Sequence, residues 1–101
     1  MKLVRDLIPH IIRESGKTCD YHIADGDEFI AELYKKMTEE LNEFIEDPSV
    51  EEAADMYEVL SAICWYHNIQ LQSVIKKAAE KKAARGGFTE GIILDGVNES
   101  R

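Results

Sequence analysis

The sequence of 101 residues has few of the residues that mark several protein classes. It contains two cysteines, two prolines and one tryptophan. Cys19 and Cys64 match no CxxC or zinc-ligand spacing, so we expect reduced thiols in a cytoplasmic protein. No apolar run approaches the roughly 20 residues of a membrane span, and no signal-peptide pattern opens the chain. These absences favour a globular protein without membrane contacts.

Basic residues are also scarce, since 12 lysines and arginines stand against 20 acidic residues for a net charge of −8. This balance argues against electrostatic docking on nucleic acid or on an anionic membrane. It does not exclude an anionic ligand, because a bound metal ion reverses the local sign. With 45% hydrophobic residues and a short chain, we expect one globular domain over residues 1–101.

The spacing of apolar residues and helix-ending residues predicts a mainly helical chain. A short helix is expected from Pro9 to about Ser15, and three longer helices are expected near residues 27–46, 49–67 and 71–85. Residues 18–24 have an alternating pattern typical of extended backbone. Residues 88–94 form either a short strand or an ordered tail.

Acidic residues fall beside the apolar face of the first long helix. At 100° per residue, Glu40 lies on the shoulder of that face, Glu43 follows one turn later, and Glu39 lies on the opposite, wetter side. In the next helix Glu52 lies inside the apolar face and Asp55 lies on its edge. Acids are seldom buried unless they are paired or bind a metal ion.

An antiparallel hairpin around residues 47–48 would bring Glu40, Glu43, Glu52 and Asp55 together. A like-charge pair about 4 Å apart costs about 1 kcal/mol in water and about 4 at an effective dielectric constant of 20. Either the carboxyl pKa values rise or a hard cation binds, and oxygen ligands favour Mg²⁺ or Mn²⁺. Two alternatives stay open: a solvated acidic face, or Glu52 as a capping-box partner of Ser49.

Three ordered segments resemble one known family. The acidic residues form an EExxE…ExxD pattern, which resembles the signature of the all-α nucleotide pyrophosphohydrolases, the MazG-like superfamily. Two flanking segments resemble its phosphoribosyl-ATP pyrophosphohydrolase-like branch. These segments are KLVRDLIP at residues 2–9 and KxxxRGGF at residues 81–88. One departure is the gap of eight residues between Glu43 and Glu52, which is shorter than in typical MazG domains.

The resemblance implies an all-α fold. This fold consists of an antiparallel helical hairpin with additional helices. Its core is similar to a four-helix bundle and is completed when copies of the chain form a homodimer or homotetramer. It implies Mg²⁺-dependent hydrolysis of a nucleoside triphosphate, or a related nucleotide, to a monophosphate and pyrophosphate. Such an activity suits the removal of non-canonical nucleotides or hydrolysis of phosphoribosyl-ATP. The alternative is a non-catalytic helical module that senses nucleotides or serves as an oligomeric scaffold.

The resemblance also implies roles for individual residues. Glu40, Glu43, Glu52 and Asp55 occupy metal-ligand positions, with Mn²⁺ as a possible replacement for Mg²⁺. Glu39 takes a supporting position. Either Glu39 or Glu43 would act as the general base for a water that attacks phosphorus.

Basic and aromatic residues supply the remaining expectations. Lys81 and Arg85 share a helix face and would clamp phosphates, with Arg5 and Lys2 as further candidates. The alternatives are a solvated face for Lys81 and a helix-dipole partner for Arg85. Trp65 falls opposite the apolar face of its helix, which indicates a subunit interface rather than a base-stacking platform.

Overall fold

The computed structural model describes residues 1–99, which contain four helices and no strand. Helix α1 covers Ile8–Glu14, α2 covers Gly26–Glu46, α3 covers Val50–Tyr66 and α4 covers Leu71–Arg85. The predicted all-α fold class is confirmed at this level, and the helix boundaries agree with the sequence pattern to within about one residue. Within residues 1–99, no helix combines the length and apolar character that a membrane span needs.

The chain divides into two compact units. The first comprises Met1–Ile69 and the second begins at Gln70. In the first unit, α2 and α3 pack against each other as an antiparallel hairpin. This hairpin is the part of the fold that positions the acidic residues.

Local sequence explains the tight connection between α2 and α3. Pro48 restricts the backbone of the preceding Asp47, whose N–H donates to the Glu43 carbonyl and closes the last turn of α2. Ser49 then begins α3 as its N-cap, and its hydroxyl oxygen accepts a hydrogen bond from the Glu52 N–H at 3.1 Å. The two helices are therefore separated by only three residues.

Packing between α2 and α3 fixes the end of the hairpin opposite the connection. Phe29 meets Tyr66 edge to face with ring centroids 5.9 Å apart. The Tyr34 hydroxyl lies 2.8 Å from His67 Nε2, and the Tyr66 hydroxyl donates to the Gly26 carbonyl at 3.3 Å. These contacts hold the start of α2 against the end of α3, so the register of the acidic residues at the other end is set.

Two segments differ from or refine the sequence-based expectations. Residues 18–24 form neither helix nor strand, and the strand considered for residues 88–94 is wrong. A strand needs a partner for its backbone groups, and residues 1–99 contain no other strand. In the second unit, α4 ends as predicted at Gly86, whose φ of +85° suits glycine.

Candidate functional site

The hairpin brings three carboxylates together near its connection. Glu40 on α2 and Glu52 and Asp55 on α3 each present an oxygen atom, and these atoms lie within 4.8 Å of one another. We call these three residues the acidic triad. The predicted convergence of acids from both helices is therefore present for three of the four predicted ligands.

Glu40 is the most enclosed member of the acidic triad. Glu40 is only 5% exposed, and within residues 1–99 it is the one charged residue that is buried. Its Oε1 lies 3.4 Å from Lys36 Nζ, whereas its Oε2 is buried without a hydrogen-bond partner. A buried carboxylate oxygen without a partner carries a desolvation cost, which protonation or a bound cation would relieve.

Glu52 contributes a second oxygen of the same kind. Its backbone N–H caps onto Ser49, which confirms half of the predicted capping box. Its side chain is directed elsewhere, because one carboxylate oxygen belongs to the acidic triad. The Oε2 atom of Glu52 is buried and has no hydrogen-bond partner within the described residues. The capping function therefore does not account for the carboxylate.

Asp55 differs from the other two because its cationic partner comes from outside the hairpin. Its Oδ1 accepts a hydrogen bond from Arg5 Nη2 at 2.6 Å. Arg5 belongs to the segment that precedes α1, 50 positions away in sequence. No pattern in the sequence predicts this contact, since both residues are common surface types without helical spacing.

The electrostatics of the acidic triad favour protonation or cation binding. Burial raises the pKa of Glu40, and the nearby Glu43 charge raises it further against the opposing effect of Lys36. Burial likewise raises the pKa of Glu52, with additional increases from the charges of Glu43 and Asp55. Both shifts have the sign expected for desolvated, crowded carboxylates.

Lys36 is a residue of the site that the sequence analysis did not select. Its side chain is only 17% exposed, and its Nζ lies 3.2 Å from Glu39 Oε1 as well as 3.4 Å from Glu40 Oε1. Burial lowers the pKa of Lys36, but the hydrogen bonds and charges of Glu39 and Glu40 together outweigh this effect, so the pKa is raised overall. The i,i+3 and i,i+4 spacings of these residues were the available sequence signal.

The predicted catalytic residues Glu39 and Glu43 lie beside the acidic triad rather than in it. Glu39 is half-buried, which corrects the expectation of a wetter face, and its Oε1 also lies 3.8 Å from Lys2 Nζ. Glu43 is exposed and takes part in no ion pair among residues 1–99, although its charge acts on both Glu40 and Glu52. Glu39 is thus held by lysines, and Glu43 is not.

The donor set of the acidic triad fits a hard divalent cation. All donors are carboxylate oxygens, which Mg²⁺ and Mn²⁺ prefer over the nitrogen and sulfur ligands typical of zinc. The net charge around the acidic triad is negative, which also suits a cation. The carboxylates that form the triad, pair with its neighbours or act on their pKa values outnumber the nearby cations Lys2, Arg5 and Lys36. These carboxylates are Glu39, Glu40, Glu43, Asp47, Glu52, Asp55 and Glu58.

The other predicted phosphate ligands lie in the second unit. Lys81 and Arg85 are both exposed on α4, where Arg85 belongs to the last turn and Lys81 lies one turn earlier. Lys81 and Arg85 share one face of α4, as predicted. Their contact with phosphate stays a prediction.

Aromatic residues form a separate open cavity at the far end of the hairpin. Trp65 is 72% exposed and, together with Phe29 and Tyr66, lines a cavity of about 410 Å³ that also contacts Asp25 and Asn68. Gly26, which lines this cavity, and Glu40 are fourteen positions apart on α2. At 1.5 Å per residue this corresponds to about 21 Å, so the aromatic cavity is not part of the acidic site.

Comparison of the chain with protein-family models, with curated proteins and with solved structures gave no match.

Proposed function

We propose that this protein is a Mg²⁺-dependent nucleotide pyrophosphohydrolase similar to the MazG-like enzymes. The observation that carries the proposal is the buried Glu40 Oε2, which has no hydrogen-bond partner. Glu40 belongs to a triad whose other members come from the next helix. The arrangement of these acids matches the EExxE…ExxD pattern position by position for Glu40, Glu52 and Asp55.

In the proposed reaction, water cleaves the bond between the α- and β-phosphates of a nucleoside triphosphate. A new P–O bond forms to the water oxygen, the bridging oxygen leaves with pyrophosphate, and the water proton passes to a carboxylate. When bound, Mg²⁺ supplies charge neutralisation and lowers the pKa of water. Glu40, Glu52 and Asp55 would hold the ion.

The neighbouring carboxylates divide the remaining roles. Glu43 is exposed and free of ion pairs within residues 1–99, so its oxygen atoms are available to accept the water proton. Glu39 is tied to Lys36 and lies near Lys2, which suits it to positioning these lysines rather than accepting a proton. This assignment selects Glu43 as the general base.

The proposal also includes self-association into a homodimer or homotetramer in the cytoplasm. Support comes from the small apolar core. Within residues 1–99 the only buried apolar residues are Leu33 and Cys64, and Trp65, Tyr57 and Ile45 are at least half exposed. A second copy of the chain, which presents the same apolar surfaces, is the partner that this composition favours.

The test is pyrophosphate release from a panel of standard and modified nucleoside triphosphates, with phosphoribosyl-ATP, in the presence of Mg²⁺. We expect Glu40→Gln and Asp55→Asn to lower kcat/KM by at least about 100-fold, because each removes a charged ligand from the acidic triad. Glu46→Gln and Glu51→Gln are matched controls, since both carboxylates are exposed on the same two helices. Their activity should stay within about twofold of wild type.

The Glu43→Gln variant separates catalysis from metal binding. It should lose at least about 100-fold in kcat, whereas its Mn²⁺ affinity should fall much less than that of Glu40→Gln, because Glu43 lies outside the acidic triad and contributes only its nearby charge. Absence of turnover on every nucleotide of the panel would favour the non-catalytic helical module. Full activity in Glu40→Gln would remove the metal site from the proposal.

A further inference from the structure

The segment that precedes α1 contacts both helices of the hairpin at the acidic site. We call residues 1–7 the N-terminal arm. Its Lys2 Nζ lies 3.8 Å from Glu39 Oε1 on α2, and its Arg5 Nη2 lies 2.6 Å from Asp55 Oδ1 on α3. The arm therefore places two cations, three residues apart, on carboxylates of two different helices.

Both contacts of the N-terminal arm are exposed to water. The Lys2 and Arg5 side chains are 67% and 56% exposed, and their partners are also partly solvated. Exposed ion pairs contribute little stability, because solvent screens the attraction and ordering two side chains costs entropy. A more highly charged cation at the same carboxylates therefore has only a weak contact to displace.

Asp55 is shared between Arg5 and the acidic triad. A divalent ion at the triad would place two positive charges beside the guanidinium group of Arg5, which the resulting repulsion drives away from Asp55. The released guanidinium would stay near the site, because the arm is continuous with α1. Its planar set of donors matches a phosphate group through two parallel hydrogen bonds.

We propose that Arg5 exchanges partners, bonding Asp55 when the acidic triad holds no divalent ion and a phosphate group when it does. The proposal rests on the proposed metal site. It adds an order of binding, in which the metal ion binds first and frees Arg5 to bind the polyphosphate. Arg5 competes with the metal ion for Asp55 and cooperates with it in binding the polyphosphate. A single substitution at Arg5 should therefore move the two affinities in opposite directions.

The experiment measures binding of Mn²⁺ alone, by electron paramagnetic resonance of the free ion. It also measures binding of inorganic triphosphate in the presence of Mg²⁺, by calorimetry. For Arg5→Met we expect Mn²⁺ affinity about twofold to fivefold higher than in wild type, since an exposed competing ion pair is lost. We expect triphosphate affinity at least about tenfold lower, since a charge-assisted pair of hydrogen bonds is lost.

Two further variants control for charge and for folding. Arg5→Lys keeps the competing charge, so its Mn²⁺ affinity should equal that of wild type, and its triphosphate affinity should fall between wild type and Arg5→Met. Arg13→Met removes an exposed arginine from α1, outside the N-terminal arm, and should change neither affinity.

Each remaining outcome overturns the exchange. Unchanged or weaker Mn²⁺ binding in Arg5→Met would show that Arg5 does not compete with the ion. Unchanged triphosphate binding would show that Arg5 does not reach phosphate. In both cases the proposed pyrophosphohydrolase activity would stand. A wild-type protein that binds no Mn²⁺ would overturn the metal site and the exchange together.

Discussion

At the scale of single residues, the defining feature is the pair of buried carboxylate oxygens without partners, one on Glu40 and one on Glu52. An apolar side chain of similar size at either position would avoid the cost of burying a charge. Lys36 compensates one oxygen of Glu40 and leaves the other unpaired. The two unpartnered oxygens therefore cost stability in the folded protein.

This arrangement gives the stability of the metal-free protein a defined pH dependence. The pKa values of Glu40 and Glu52 are raised in the folded state, so the folded state binds their protons more tightly than the unfolded state. The stabilisation from these protons is full below the ordinary glutamate pKa, near 4.5, and is lost as pH rises through the raised values.

We therefore expect Glu52→Gln to stabilise the protein relative to wild type near neutral pH in the presence of a chelator, with a smaller advantage near pH 4. The measurement is urea unfolding at a series of pH values. Glu51→Gln is the control, because that side chain is exposed beside Glu52 on the same helix. A stability difference between wild type and Glu52→Gln that does not change with pH would contradict the expectation.

At the scale of secondary structure, the start of α3 connects helix stability with the acidic site. The Ser49 hydroxyl oxygen accepts from the Glu52 N–H at 3.1 Å, so the N-cap fixes the backbone from which the Glu52 carboxylate extends. Loss of this bond would loosen the first turn of α3, which contains one member of the acidic triad.

Ser49→Ala should lower the free energy of unfolding by about 1 kcal/mol and weaken Mn²⁺ binding as well. Urea unfolding measures the first effect and Mn²⁺ titration the second. Ser61→Ala is a matched control. The Ser61 hydroxyl donates to the Tyr57 carbonyl within the same helix, and loss of such a bond changes stability little. Equal effects of the two substitutions would refute a special role for the cap.

The sequence predicted the helices and most of the acidic site because both depend on local rules. Gly86, Pro48 and Ser49 mark helix ends through backbone chemistry, and the 3.6-residue period placed Glu40 and Glu52 against the hairpin partner. The period could not show that Glu43 stays exposed beside the acidic triad while Glu40 is buried, since both lie on the same side of α2. It also could not show the pairing of Arg5 with Asp55, which depends on the path of the N-terminal arm.

At the scale of the whole molecule, the small core has a consequence for assembly. Because Leu33 and Cys64 are the only buried apolar residues within 1–99, little apolar surface is removed from water. In the first unit, exposed apolar residues include Tyr34, Leu41, Ile45, Tyr57, Leu60 and Trp65. Contact between copies of the chain would bury them.

We expect wild type to be a dimer or tetramer at micromolar concentration, and Trp65→Glu to shift the protein towards monomer. The reason is that a charge at an exposed indole position opposes burial in an interface. Light scattering after size-exclusion chromatography measures the mass. Asn42→Glu adds the same charge at an exposed polar position of α2 and should leave the mass unchanged. A monomeric wild type would contradict self-association.

The three-residue connection between α2 and α3 has a further consequence, for the order of events in folding. Glu40 and Asp55 are only fifteen positions apart in sequence, so closing the hairpin costs little loop entropy and occurs early. We therefore expect the chain to meet the repulsion among these carboxylates already in its folding transition state. If the acidic triad binds divalent cations as proposed, Mg²⁺ should accelerate refolding as well as slow unfolding, which stopped-flow measurements with and without the ion would show.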